Sequence, residues 1–319
     1  MTALVWIGFI AFVLVMLAID LGVLHREARV IRFREAIVWT SLCAVLALAF
    51  NVLVYFLYEY KWLGVGETVG SRMGGSEAAM LFFACWLIEQ SLSVDNIFVI
   101  ALVFRSFKVP PLYQHRVLFW GVLGALVMRG VMIGVGTAVI HAIHWSTYVF
   151  GAFLIYTAIK LLLKKDDEDV DPQQNILVRL ARRAYPVTSD YHGQRFFVLE
   201  AGRRAMTPLF LVLLVVEGMD VMFAVDSIPA VIAITDDTFL VFTSNVFAIL
   251  SLRSLFFAVV ALLDRFRHIQ TSLVFVLAFV GVKMILANHY KIPTPVSLGL
   301  IVGFLATGVL ASLMRRPGA

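Results

Sequence analysis

Two stretches far apart in the chain carry one pattern: an acid, five residues, Asp, a polar residue and Ile. They are Glu89-Gln-Ser-Leu-Ser-Val-Asp95-Asn96-Ile and Asp220-Val-Met-Phe-Ala-Val-Asp226-Ser227-Ile, with Glu217 three residues ahead of the second. Both lie inside otherwise apolar sequence. A charge at the centre of a bilayer costs roughly 2.5–3.5 kcal/mol on insertion scales, so acids placed there imply a compensating partner or cargo. The chemistry they offer is binding of a cation or a proton.

The donor set narrows the cation. Glu89, Asp95, Asn96, Glu217, Asp220, Asp226, Ser227 and Asn245 supply carboxylate, amide and hydroxyl oxygens, with no His or Cys cluster in the same segments. Oxygen-rich sites suit Mn²⁺, Mg²⁺ or Ca²⁺, whereas thiolate and imidazole point to Zn²⁺ or copper. One divalent ion neutralises two acids, and protons can do so when it leaves. At about 100° per residue, Glu89, Ser93 and Asn96 share a helical stripe, Asp220 and Ser227 share another, and Glu217 neighbours Asp220. Asp95 and Asp226 fall about 120° away from Glu89 and Asp220, so a straight helix cannot aim both acids of one motif at a single ion. Pro229 suggests a break that frees the carbonyl of Val225 beside Asp226.

The elements that must position these groups are membrane helices. Of the 319 residues, 61% are hydrophobic and 15% charged, and the mean hydropathy is +0.92. Apolar segments of span length are read at about 3–24, 36–58, 77–104, 117–139, 145–163, 206–234, 239–263, 270–287 and 294–313. The expectation is an all-α polytopic fold of about nine transmembrane helices in a single domain, 1–319. Lys and Arg crowd one side of this layout (Arg26 to Arg34, Arg105 to Arg116, Lys160 to Arg204, Arg265 and Arg267, Arg315 and Arg316) and leave Lys61, Arg72 and Lys291 on the other. That asymmetry predicts an N-terminus outside and a C-terminus in the cytoplasm. The net charge of +5 then meets anionic lipid rather than nucleic acid.

The first segment lacks a basic leader and a small-residue cleavage site, and reads as a retained anchor. Cys43 and Cys85 have no metal-ligand spacing and read as packing residues. The long connection 164–205 runs from acidic (Asp166 to Asp171) to basic (Arg179, Arg182, Arg183) and reads as a solvated linker or lid. Within it, Phe196 to Met206 around Ala201-Gly202 reads as a small hairpin.

The motifs belong to a larger internal repeat. Gly124-Ala-Leu-Val-Met-Arg129 corresponds to Ala248-Ile-Leu-Ser-Leu-Arg253, and Phe153 to Lys160 corresponds to Val276 to Lys283. Spans three to five (77–163) match spans six to eight (206–287) in order, separated by the 164–205 loop. Three spans per unit is an odd number, so the second copy enters the membrane from the opposite side. Inverted repeats of this kind mark secondary transporters, with the substrate site at the repeat interface near the midplane. Arg129, Arg253 and Lys283 lie in mid-span and are expected to pair with the acids. Lys160 can snorkel; Asp20 and Asp264 lie near span ends and suit interfacial solvation; His141 and His144 suit interfacial packing.

Glu89-x5-Asp95-Asn96, Glu217-x2-Asp220-x5-Asp226-Ser-Ile-Pro229 and Thr243-Ser-Asn-Val-Phe-Ala-Ile-Leu-Ser-Leu-Arg253 together resemble the TerC/Alx family of bacterial integral membrane proteins, over nearly the whole chain. The resemblance implies manganese export, linked in some members to alkaline stress, tellurite resistance or metal supply to secreted enzymes, and distant kinship with the LysE exporter superfamily. The family's acidic signature falls on Glu89, Asp95, Glu217, Asp220 and Asp226. Met219 stands where the family usually carries a small hydroxyl residue, and Gln90 where some relatives carry Lys.

The resulting expectation is a bacterial inner-membrane exporter of a divalent cation, Mn²⁺ above all, coupled to protons and not an enzyme. Glu89, Asp95, Asn96, Glu217, Asp220, Asp226 and Ser227 hold the metal, and Arg129, Arg253 and Lys283 pair charges. An intramembrane aspartyl protease is disfavoured, because neither a Gly-x-Gly-Asp nor a Pro-Ala-Leu motif occurs. The rival is a non-transporting scaffold that binds metal and supplies it to other membrane or secreted proteins.

Overall fold

The computed structural model describes residues 3–22, 33–65, 73–142, 146–163, 176–200, 203–260, 269–286 and 292–314. The side chains of Asp20, Asp95, His141, Lys160 and Asp226 lie outside the described residues, as do His144, Asp264 and the acidic run 166–171.

Helices occupy the apolar segments: α1 Ala3–Gly22, α2 Phe33–Glu59, α3 Gly75–Ser106, α4 Pro111–Ala142, α5 Ser146–Leu163, α7 Pro208–Ile232, α8 Thr238–Val260, α9 Ile269–Leu286 and α10 Thr294–Met314. Five are long and apolar enough to cross a membrane, namely α2, α3, α7, α8 and the Pro111–Val139 part of α4; Ala3–Ile19, Val274–Lys283 and Pro295–Ala311 are shorter apolar stretches. The outward faces are apolar too. Leu4, Ile7 and Leu14 of α1 and Val38, Val45 and Val52 of α2 are all more than half exposed. A continuous apolar surface of this kind needs lipid rather than water around it.

Helix α8 is the axis of the bundle. It is buried on all sides and packs against α2, α3 and α4. Helix α3 also meets α7, α4 packs on α7, and α5 packs on α9, which in turn supports α10. Lipid tails are as apolar as Leu, so close van der Waals fit must hold such helices together. Interlocked rings provide it: Phe9, Phe50, Phe82, Phe239 and Phe247 join α1, α2, α3 and α8, with Phe50 and Phe247 centroids 4.8 Å apart. Several helical hydroxyls are satisfied locally, as when Thr137 donates to the carbonyl of Ile133 at 2.8 Å and Thr243 to that of Phe239 at 2.7 Å.

Polar ties fix the helix ends. Asp237 is buried just before α8; its Oδ1 accepts from the Phe239 amide at 2.9 Å, and its Oδ2 accepts from the Tyr58 hydroxyl of α2 at 2.7 Å. One carboxylate thus caps α8 and clamps α2 to it. Pro208 occupies the first turn of α7, where its missing N–H removes no helical bond.

The connection between α5 and α7 holds more structure than a linker. The hairpin read from sequence is present as β1 Phe197–Glu200 paired antiparallel with β2 Arg203–Met206; its turn, 201–202, lies outside the described residues. Ahead of it is a helix the sequence reading missed, α6 Ile176–Ala184, packed on α7. Nine residues form a marginal helix alone. Docking sustains it: Leu177 sits so close to Gly218 that a Cβ there would lie 2.2 Å from its Cδ1. Tyr191 donates to the carbonyl of Phe107 at 2.8 Å and so fastens the connection to the end of α3; burial pushes its phenol up to about 12, which keeps it a donor.

The expected break at Pro229 is corrected. Helix α7 runs unbroken from Pro208 to Ile232 with Pro229 inside it. The proline stands in the final turn, and its own carbonyl still accepts from Ala233 at 3.0 Å, so the loss of one upstream bond does not unwind the helix. Positions 220 and 226 therefore stand about 120° apart around one continuous helix.

Candidate functional site

The centre of the site is a charge cluster drawn from three helices. Glu89 lies near the middle of α3 and Asp220 near the middle of α7, and Arg129 of α4 reaches both. Arg129 Nη1 donates to Glu89 Oε2, and Nη2 lies 3.6 Å from Asp220 Oδ1. Glu89 is fully buried, Arg129 is 3% exposed and Asp220 9%. With both acids ionised, two carboxylates face one guanidinium and the cluster keeps one negative charge. Among the described residues, the buried Glu89 Oε1, Asp220 Oδ2 and Arg129 Nε have no hydrogen-bond partner. Buried polar atoms are nearly always paired, so two such carboxylate oxygens in one cluster leave room for a further donor or ion.

Glu217 extends the acidic line along α7. Its carboxylate rests on Gly124 of α4: a Cβ at position 124 would lie 2.1 Å from Glu217 Oε1 and 2.2 Å from Oε2. The glycine is what lets the carboxylate enter the α4–α7 seam. Beside it, Ile100, Gly121, Ala125, Val216, Asp220 and Leu252 line a cavity of about 10 Å³ bounded by α3, α4, α7 and α8. That volume is about what one water requires. Gly124→Ala is expected to leave the fold intact, because the atoms displaced end a flexible side chain, but to unseat Glu217. Metal binding to the purified variant, measured beside its thermal unfolding, should fall while the melting temperature moves little.

The other expected residues are distributed unevenly. Asn96 and Ser227 are buried at 4% and 2% exposure, and Asn245 at 1%; among the described residues Ser227 Oγ and both amide atoms of Asn245 have no hydrogen-bond partner. Arg253 is not drawn into the Glu89–Arg129–Asp220 cluster through its Nη1, which lies 3.2 Å from His115 Nε2. Lys283 of α9 is half-buried within electrostatic reach of Cys85. Cys85 itself packs among Ile133, Ala224, Ile228 and Val231, as a packing residue should. Among the described residues, no three His, Cys, Asp or Glu side chains stand together as a metal cage. Asp95 and Asp226, which would enlarge any such group, have side chains outside the described residues.

Four residues make contacts that the sequence did not assign them. Gly124 was read only as part of the repeat, although a glycine facing an acid-bearing helix signals close approach. The Gln90 amide donates to Ser251 Oγ at 2.7 Å and cross-links α3 to α8 one residue from Glu89. Tyr58 and Asp237 were not read from the sequence, and their meeting across 179 positions gives them a role.

The chain is similar over nearly its whole length to known membrane proteins. The chain is 47% identical over 310 residues, 97% of its length and 92% of the relative's, to an uncharacterized membrane protein of Myxococcus xanthus. It is 42% identical over 305 residues, 95% of its length and 92% of the relative's, to a protein of Salmonella typhi named as a membrane-bound redox modulator, Alx. A membrane protein of Rickettsia felis is 36% identical over 311 residues, covering 98% of both chains. No solved structure matches. Residues 74–318, which hold every charged group of the cluster, match the family described as integral membrane protein TerC, and on that match the chain belongs to the TerC family of multi-pass integral membrane proteins.

Proposed function

We propose that this protein exports a divalent cation, Mn²⁺ first among them, from the cytoplasm across a bacterial inner membrane, in exchange for protons. The observation that carries the reading is the shared cluster: Glu89 of α3 and Asp220 of α7 meet on Arg129 in mid-bundle, each with an oxygen left over. The packing supports a pair of inverted three-helix units, 77–163 and 206–287, as the frame. Helix α3 of one unit packs on α8 of the other, α4 reciprocally on α7, and α5 on its counterpart α9. A twofold relation between the units requires that reciprocity, and transporters built this way carry their substrate at the repeat interface.

The donor chemistry fits the cargo. Carboxylate oxygens of Glu89, Glu217 and Asp220, the Ser227 hydroxyl and the Asn96 amide are hard ligands suited to Mn²⁺; Asp95 and Asp226 complete the acidic set as the sequence motif requires. The same carboxylates can accept protons once the ion departs, which would couple the two fluxes. The basic ends of the helices face the cytoplasm in this reading, with the N-terminus outside.

Purified protein in liposomes with an imposed pH gradient should move Mn²⁺ against Mg²⁺, Ca²⁺ and Zn²⁺ competitors and move protons the other way. Saturable Mn²⁺ binding without flux would replace the exporter by a metal-supplying scaffold. Neither binding nor flux would refute both.

A further inference from the structure

The geometry points to Arg129 as a tethered counter-cation: in the unloaded carrier its guanidinium occupies the place of the transported ion between the two repeats, and the ion must expel it to bind. This rests on the transport reading above. Two observations carry it. Arg129 bridges acids on helices of both units, through Nη1 to Glu89 Oε2 and Nη2 to Asp220 Oδ1, so it is positioned between the groups that a shared ion would join. Among the described residues, each acid keeps one oxygen without a hydrogen-bond partner and Arg129 Nε has none either, so the guanidinium fills the cluster without saturating it.

The physical consequence concerns the empty state. Two buried carboxylates with no cation are costly to carry through a conformational change, whereas a cluster holding its own cation is far less so. Arg129 therefore lets the unloaded carrier reorient, and it lowers apparent ion affinity by the fraction of time it occupies the site. A guard present more than about nine-tenths of the time weakens binding about tenfold.

The test compares wild type, Arg129→Gln and Arg129→Lys as full-length purified protein. Mn²⁺ binding is read by loss of the free-ion electron paramagnetic resonance signal, and folding by thermal unfolding with and without Mn²⁺. Liposomes report Mn²⁺–Mn²⁺ exchange and net efflux separately. Arg129→Gln should bind Mn²⁺ at least about tenfold more tightly, gain a larger Mn²⁺-induced rise in melting temperature than wild type, keep exchange and lose net efflux. Arg129→Lys keeps a charge but loses the fork that spans two carboxylates, so it should shift affinity in the same direction by less. Unchanged or weaker binding in a folded Arg129→Gln, or net efflux and exchange lost together, would overturn the inference while leaving the transport reading standing. If the Gln variant does not fold, wild-type or weaker affinity in Arg129→Lys overturns it. A wild type that neither binds nor moves Mn²⁺ overturns the inference and the transport reading together.

Discussion

Asp220→Asn is expected to cut Mn²⁺ flux in proteoliposomes by roughly a thousandfold while the protein still inserts and folds. Asn keeps the size of the side chain and removes its charge. A unit charge about 4 Å from another is worth about 4 kcal/mol at an effective dielectric constant near 20, and each 1.4 kcal/mol is tenfold in binding. The fold should tolerate the change, because the Asp220 arm of the Arg129 bridge is the looser one, at 3.6 Å, and Arg129 keeps its direct hydrogen bond to Glu89. Flux measured with matched amounts of reconstituted protein, beside thermal unfolding in detergent, checks both halves. Wild-type flux from a folded Asp220→Asn protein would remove this carboxylate from the ion's path.

Glu89→Gln should act in the opposite way, on stability first. Glu89 is fully buried and supplies the closer partner of a guanidinium that is itself 3% exposed. Removing one member of a buried pair leaves an uncompensated charge, at a cost of about 3–5 kcal/mol. Glu89→Gln combined with Arg129→Gln removes the orphaned charge as well and should recover most of that loss. A double-mutant cycle on thermal unfolding measures the coupling. Additive losses in the cycle would show that Glu89 and Arg129 do not depend on one another, and that the cluster does not exist in the membrane.

The positions of the charged groups were legible because a charge in a long apolar segment is conspicuous and needs a reason. The acids of both motifs, Arg129 and the repeat were found on that basis. Pairing was not legible. Arg129 stands 40 positions from Glu89 and 91 from Asp220, and nothing in that spacing says that it meets both. Pro229 misled for a related reason: a proline is disruptive in a helix interior, but its effect shrinks where the helix is about to end, and that end is not marked in the sequence. Helix α6 escaped because nine residues are too few to hold a helix alone, and its stability depends on Leu177 meeting a glycine 41 positions later on α7.

By itself, then, the amino-acid sequence determined that this is a helical membrane protein of the TerC family and where charged side chains stand within its apolar segments. These follow from the cost of placing each residue in hydrocarbon, a quantity local to the residue and its segment. Only the tertiary structure decided that Glu89, Arg129 and Asp220 share one site, that Glu217 seats on Gly124, and that α7 stays whole past Asp226. Those outcomes depend on how separately formed helices press together, and the few ångströms of approach that a glycine or a guanidinium permits are set by both partners at once.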